Sequence, residues 1–155
     1  MTGYHLAQIN IGHARAPVDD PLMAPFMARL DEINALADRS PGFVWRLQDD
    51  SGNATAIPVT DDPLVIVNLS VWESFEALSD FVYRTAHAPV MARRLDWFER
   101  HSAAYLALWW SPAGTLPTVA EGLSRIDHLQ RNGPGAQAFT FKRPFAAPAT
   151  DDAAN

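Results

Sequence analysis

Asn68, Ser70 and Trp72 take alternate positions in V-N-L-S-V-W, residues 67–72, and side chains of those types on one strand face could grip a ligand. Successive strand residues point to opposite faces, so Val67, Leu69 and Val71 form the other row, which is ordinary core. The run Y-H-L-A-Q-I-N-I-G at 4–12 alternates in the same way, with His5, Ala7, Ile9 and Ile11 set against Gln8 and Asn10. If the two apolar rows meet helices, Gln8, Asn10, Asn68, Ser70 and Trp72 converge on one chamber. Amides there could orient a ligand, with the indole as a wall. Apolar walls with a few orienting polar groups make a ligand pocket; the same groups could instead satisfy one another or bound water.

His87 stands apart from that set, beside Ala88-Pro89. A histidine at a helix break can ligate iron, act as a general base, or cap a helix C-terminus as a cation. Tyr83, Arg84, Arg93 and Arg94 surround it in sequence and could hold carboxylates of a substrate or of haem propionates, or form a plain solvated basic face. Trp45, Arg46 and Trp109 are further candidate substrate contacts from neighbouring β-rich runs, although alternation alone leaves open which face of 42–48 lines the cavity. No zinc-protease, nucleophile-elbow, P-loop or dinucleotide motif occurs. The aspartate pairs at 19–20, 49–50 and 61–62 read as loops and caps. His5, His13, His101 and His128 have no metal spacing, so no metal site is expected.

The elements that must position these groups follow from periodicity and punctuation. After the 4–12 strand, Asp20 can cap a helix carrying Phe26, Leu30, Ile33 and Ala37 on one stripe, ended by Ser40-Pro41-Gly42. Strands at 42–48 and 64–72 form a hairpin through a long, polar, mobile connection. Ser74 opens a second helix that Ala88-Pro89 interrupts, and a new helix carries Val90, Met91, Leu95 and Phe98. A strand at 105–111 follows. Thr118 and Glu121 make a capping box for a helix ended by Asn132-Gly133-Pro134, and 137–143 reads as a last strand. The order β-α-β-β-α-β plus α-β is that of a ferredoxin-like α+β domain over 1–145, with a loose tail at 146–155. Its helices are expected on one sheet face, leaving the other to pair with a second subunit.

Composition narrows the classes. The chain has 155 residues, a net charge of −6, no cysteine, and 48% hydrophobic residues, five of them tryptophan. Disulfides and thiolate chemistry are excluded, and the charge argues against a nucleic-acid partner. With no signal-like segment and no long apolar run, a cytoplasmic protein without membrane contact is expected.

The segments L-A-Q-I-N-I-G, S-P-G-F-V-W-R-L-Q, N-L-S-V-W-E-S-F-E-A-L-S-D-F-V-Y-R, His87 and L-A-L-W-W together resemble a bacterial domain-of-unknown-function family, DUF3291. That family is placed among the dimeric α+β barrels, with antibiotic-biosynthesis and haem-degrading monooxygenases and lactone isomerases. The resemblance implies a homodimer and a small-molecule enzyme, monooxygenase-like, acting on a hydrophobic or aromatic metabolite. Asn68 and Trp72 have the Asn-x-x-x-Trp spacing of the cofactor-independent, quinone-forming branch. Asn10, Trp72 and His87 lie on elements comparable to the haem-degrading branch, but His87 follows Trp72 at a longer spacing than that branch has. Two readings of cofactor remain, none or haem with His87 as axial ligand. A non-catalytic ligand-binding protein is the alternative from another class.

Overall fold

The computed structural model describes residues 3–50, 52–85, 87–100 and 103–148. Four strands form one antiparallel sheet: β1 (Tyr4–His13), β2 (Phe43–Arg46), β3 (Val65–Trp72) and β4 (Leu106–Pro112), in the order β2-β3-β1-β4. That is the ferredoxin-like arrangement expected from the element order. The two chemistry-bearing strands are direct neighbours, with Leu6 opposite Trp72, Gln8 opposite Ser70 and Asn10 opposite Asn68.

Helices cover both faces. On one side, α1 (Ala24–Asp38) and α2 (Phe75–Arg84) bury Ile33, Ala37, Leu78, Phe81 and Val82 against Leu6, Trp72 and Leu108. On the other, α5 (Val119–Asn132) buries Ile126 and Leu129 against Ala7, Ile9, Val67, Leu69, Val71 and Trp109. The polar-row face expected to be bare is therefore covered by α1 and α2, and α5 covers the apolar row that was expected to meet them. A Cβ at Gly122 would come 2.4 Å from Ile9 Cδ1, so a glycine is what lets α5 lie this close to β1.

Local chemistry sets the boundaries. Asp20 accepts from the Leu22 amide and opens a 3-10 turn, Pro21–Met23, before α1. Ser74 caps α2 through the Ala77 amide, and Thr118 caps α5 through the Glu121 amide. α2 stops earlier than Ala88-Pro89: Thr85 turns extended, and its hydroxyl donates to the Phe81 carbonyl and accepts from the His87 amide. Pro89 then falls in the first turn of α3 (His87–Ala92), where its missing N–H costs nothing. The expected single helix beyond it is two, α3 and α4 (Arg94–Trp97). Met91 and Leu95 are exposed, whereas Trp97 and Phe98 pack with Met23, Ile66 and Phe26.

Two other expectations change. The 137–143 segment is no strand: only Phe139 pairs with β4, exchanging both backbone hydrogen bonds with Leu108 at 2.8 Å, before a turn at Thr140–Arg143. Among its described residues, the connection between β2 and β3 packs in part on the domain. Buried Asn53 accepts from the Thr55 amide and hydroxyl, and Ala54 and Val59 rest on the α5-side core. His101 and the tail from residue 149 lie outside the described residues.

Candidate functional site

A cavity of about 510 Å³ lies between the polar row of the sheet and helices α1 to α4. Alternation directs Gln8, Asn10, Asn68 and Ser70 toward it, and pairing of β1 with β3 sets their order. The apolar row that was expected to face the helices meets α5, and the polar row lies under α1–α3. The chamber is therefore roofed by the helices of the same chain.

The floor of the cavity is one hydrogen-bonded chain. Trp72 Nε1 donates to Ser70 Oγ (2.9 Å), and Gln8 Nε2 donates both to that Oγ (2.9 Å) and to Asn68 Oδ1. Asn10 Nδ2 in turn donates to Gln8 Oε1 (3.2 Å). Gln8, Ser70 and Trp72 are buried, and their polar side-chain atoms are engaged in these bonds. Asn68 keeps its Nδ2 donors and Asn10 its Oδ1 acceptor, and both residues line the cavity. A buried donor-only indole thus anchors a relay that ends in the Asn68 Nδ2 group and the Asn10 Oδ1.

Trp72 does not face the cavity openly. It is 1% exposed, stacked on Phe81 with centroids 5.1 Å apart and met edge-on by Phe43 at 5.3 Å. Asn10, Trp72 and His87 all line the cavity, but Phe81 and Phe43 pack on the indole, so Trp72 offers no free face there.

His87 does line the cavity, its ring 5.1 Å from that of Phe81 and its Nδ1 buried without a hydrogen-bond partner. Burial lowers its pKa below the ordinary value of 6.5, and the Val82 carbonyl opposes that only in part. It is a neutral imidazole at neutral pH, the form that can accept a proton.

The other candidates separate cleanly. Arg46 lines the cavity, but Asp38 holds its Nε (2.8 Å) and the Gly52 carbonyl its Nη1 (2.7 Å). Tyr83 sits exposed at the rim, its ring edge-on to Phe141. Arg84 and Arg93 are exposed and paired with Asp80 and Asp96, a solvated face. Trp109 and Trp45 pack on the α5 side, away from the cavity. Pairing of Trp109 with Ala7, and of Trp45 with Val71, puts both on the apolar row.

Asn34 escaped the sequence reading. It is a buried polar side chain that lines the cavity from α1. Its signal was present: position 34 lies four residues after Leu30, so a polar residue interrupts the apolar stripe of that helix. No helix among the described residues is long and apolar enough to cross a membrane.

A family model described as "Domain of unknown function (DUF3291)" matches residues 5–155. No curated protein matches the chain. Among solved structures, protein SO0527 of Shewanella oneidensis is similar at TM-score 0.51 and 9% identity, over 72% of this chain and 98% of that one. Rv0793 of Mycobacterium tuberculosis gives 0.49 and 14%, over 74% and 97%. SnoaB, a cofactor-independent oxygenase from Streptomyces nogalater, gives 0.43 and 17%, over 75% and 97%.

Proposed function

The chain belongs to the DUF3291 family, and from its cavity we propose that it is a small-molecule enzyme, monooxygenase-like, acting on a hydrophobic or aromatic metabolite. The observation that carries this is the relay from Trp72 to Asn10 and Asn68. It holds the Asn68 Nδ2 group and the Asn10 Oδ1 at fixed places in an otherwise largely apolar chamber. A phenol or enol satisfies both, accepting from Asn68 Nδ2 and donating its O–H to Asn10 Oδ1.

In this reading the substrate is an electron-rich phenol with an acidic ring C–H₂ or C–H. His87, neutral and in the cavity wall, takes the proton as negative charge builds on the substrate oxygen. Asn68 Nδ2 stabilises that charge. The carbanion-like substrate reduces dioxygen: a methylene carbon loses two hydrogens and gains one oxygen as a carbonyl, and the second oxygen leaves as water. Asn34 and the apolar residues of α1 and α2 shape the space around the ring. The homodimer that the resemblance implies belongs to the same proposal. It is supported by exposed apolar side chains such as Val44, Leu116 and Phe145, since α5 already covers the broad sheet face.

The test is oxygen uptake on a panel of anthrone- and naphthol-type phenols. Wild type should consume oxygen with at least one of them, and Asn68→Leu should lose that uptake while unfolding at nearly the same temperature. Binding of the panel without any uptake would favour the non-catalytic ligand-binding alternative.

A further inference from the structure

The charges lining the cavity are one-sided. Although the chain carries 18 acidic against 12 basic residues, no carboxylate lines the cavity among the described residues, whereas Arg46, Arg94 and Lys142 do. Asp38 neutralises Arg46, and Lys142 is exposed at the rim. Arg94 is different. Its neighbour Arg93 pairs with Asp96 in solvent, but Arg94 turns inward and makes no ion pair with any described residue.

Three contacts hold Arg94 in place. Nη2 donates to the Ile11 carbonyl (3.0 Å), and the guanidinium lies over the rings of Tyr105 (4.4 Å) and Phe98 (5.1 Å). The approach to β1 depends on Gly12, where a Cβ would stand 3.1 Å from Nη2 and 2.6 Å from Phe98 Cδ1. Burial lowers the arginine's pKa, with Tyr105 acting the other way, yet a guanidinium remains charged in a protein. A half-buried cation with one carbonyl partner keeps most of its five donors. Such a group is costly unless an anion completes it.

We propose that Arg94 is a specificity-determining residue that receives a carboxylate of the ligand, so that the cavity selects hydrophobic or aromatic acids over their uncharged analogues. The inference rests on the cavity being the ligand site. It adds the charge of the substrate, with the apolar body lying along α1 and α2 and the carboxylate reaching the Arg94 end, near Tyr105 and Gly12. Planar guanidinium forks match carboxylates in two parallel bonds, a geometry that lysine lacks.

The experiment uses full-length protein and a panel of 2-naphthoate, 4-hydroxycinnamate and decanoate, each paired with its primary amide, with affinity measured by calorimetry. At least one acid should bind about tenfold or more tightly than its amide in wild type. In Arg94→Gln the two should bind within about threefold of each other, and Arg94→Lys should fall between. Arg93→Gln should leave the preference untouched. Wild-type protein that binds no acid better than its amide overturns the proposal, whatever the variants do. So does a preference that survives Arg94→Gln in protein shown to be folded by its melting temperature. Equal binding of acids and amides that is lost in Asn68→Leu would overturn the Arg94 assignment yet leave the cavity reading standing. Binding of both that is indifferent to Asn68 would overturn the cavity reading as well.

Discussion

Replacing Asn68 with leucine separates a ligand-holding amide from a structural one, because the relay lets the two costs be worked out. Asn68 accepts one bond, from Gln8 Nε2, and Gln8 Nε2 keeps its second bond to Ser70 Oγ at 2.9 Å. Asn68 itself is exposed at the cavity, so water can reach the N–H that the substitution frees. The stability loss is therefore that of one ordinary hydrogen bond, about 1 kcal/mol. In a domain of this size that lowers Tm by roughly 2–4 °C. A phenolic ligand, in contrast, loses a donor that nothing else replaces, and its affinity should fall by about 3–10-fold. Circular dichroism melts and calorimetric titration on the same preparations give both numbers. A Tm drop beyond about 8 °C with ligand affinity per folded molecule unchanged would refute the reasoning, since the amide would then be holding the core together.

Other outcomes follow from the same geometry. Burial depresses the His87 pKa, so the unfolded chain binds more protons below the ordinary value of 6.5. Folding stability should then fall as pH drops through and below 6.5, and Tm between pH 7.5 and 5.5 should decline less in His87→Gln than in wild type. Gly122→Val should destabilise strongly, by about 1–3 kcal/mol, because the added carbons collide with Ile9 under α5; urea titration reads this. Sedimentation at micromolar concentration should give twice the 17.1 kDa chain mass if the protein pairs, and a folded monomer would end the homodimer proposal.

The legible parts of the molecule were those where one residue's role depends on its near neighbours. Two-row alternation at 4–12 and 67–72 marked both strands, and Asp20, Ser74 and Thr118 announced their helices because a cap acts within three residues. Facing was harder. Val67, Leu69 and Val71 are equally apolar whether they meet α1 or α5, and only tertiary packing decides. Trp109 is a case in point: it adjoins Trp110 in sequence, and its register opposite Ala7 puts it on the α5 side. The F-T-F alternation near 139 is real, but the turn at Thr140–Arg143 draws the chain away from β4 after one bridge. The polar candidates on β1 and β3 came together because those strands pair directly, while Asn34 and the inward turn of Arg94 depend on helices whose placement periodicity does not give.

If Asn10 and Asn68 hold the ligand on the floor of the cavity, their side-chain amides report its arrival, and NMR reads them one by one. In ¹⁵N-labelled protein, the Asn68 Nδ2 resonance can be assigned by its loss in Asn68→Leu and followed through a titration with 4-hydroxycinnamate. That signal and the Asn10 amide should shift saturably, with the indole signals of Trp45 and Trp109 on the α5 side unmoved. Saturable binding that shifts those two indoles and leaves the Asn68 amide where it was would place the ligand elsewhere than on the floor of the cavity.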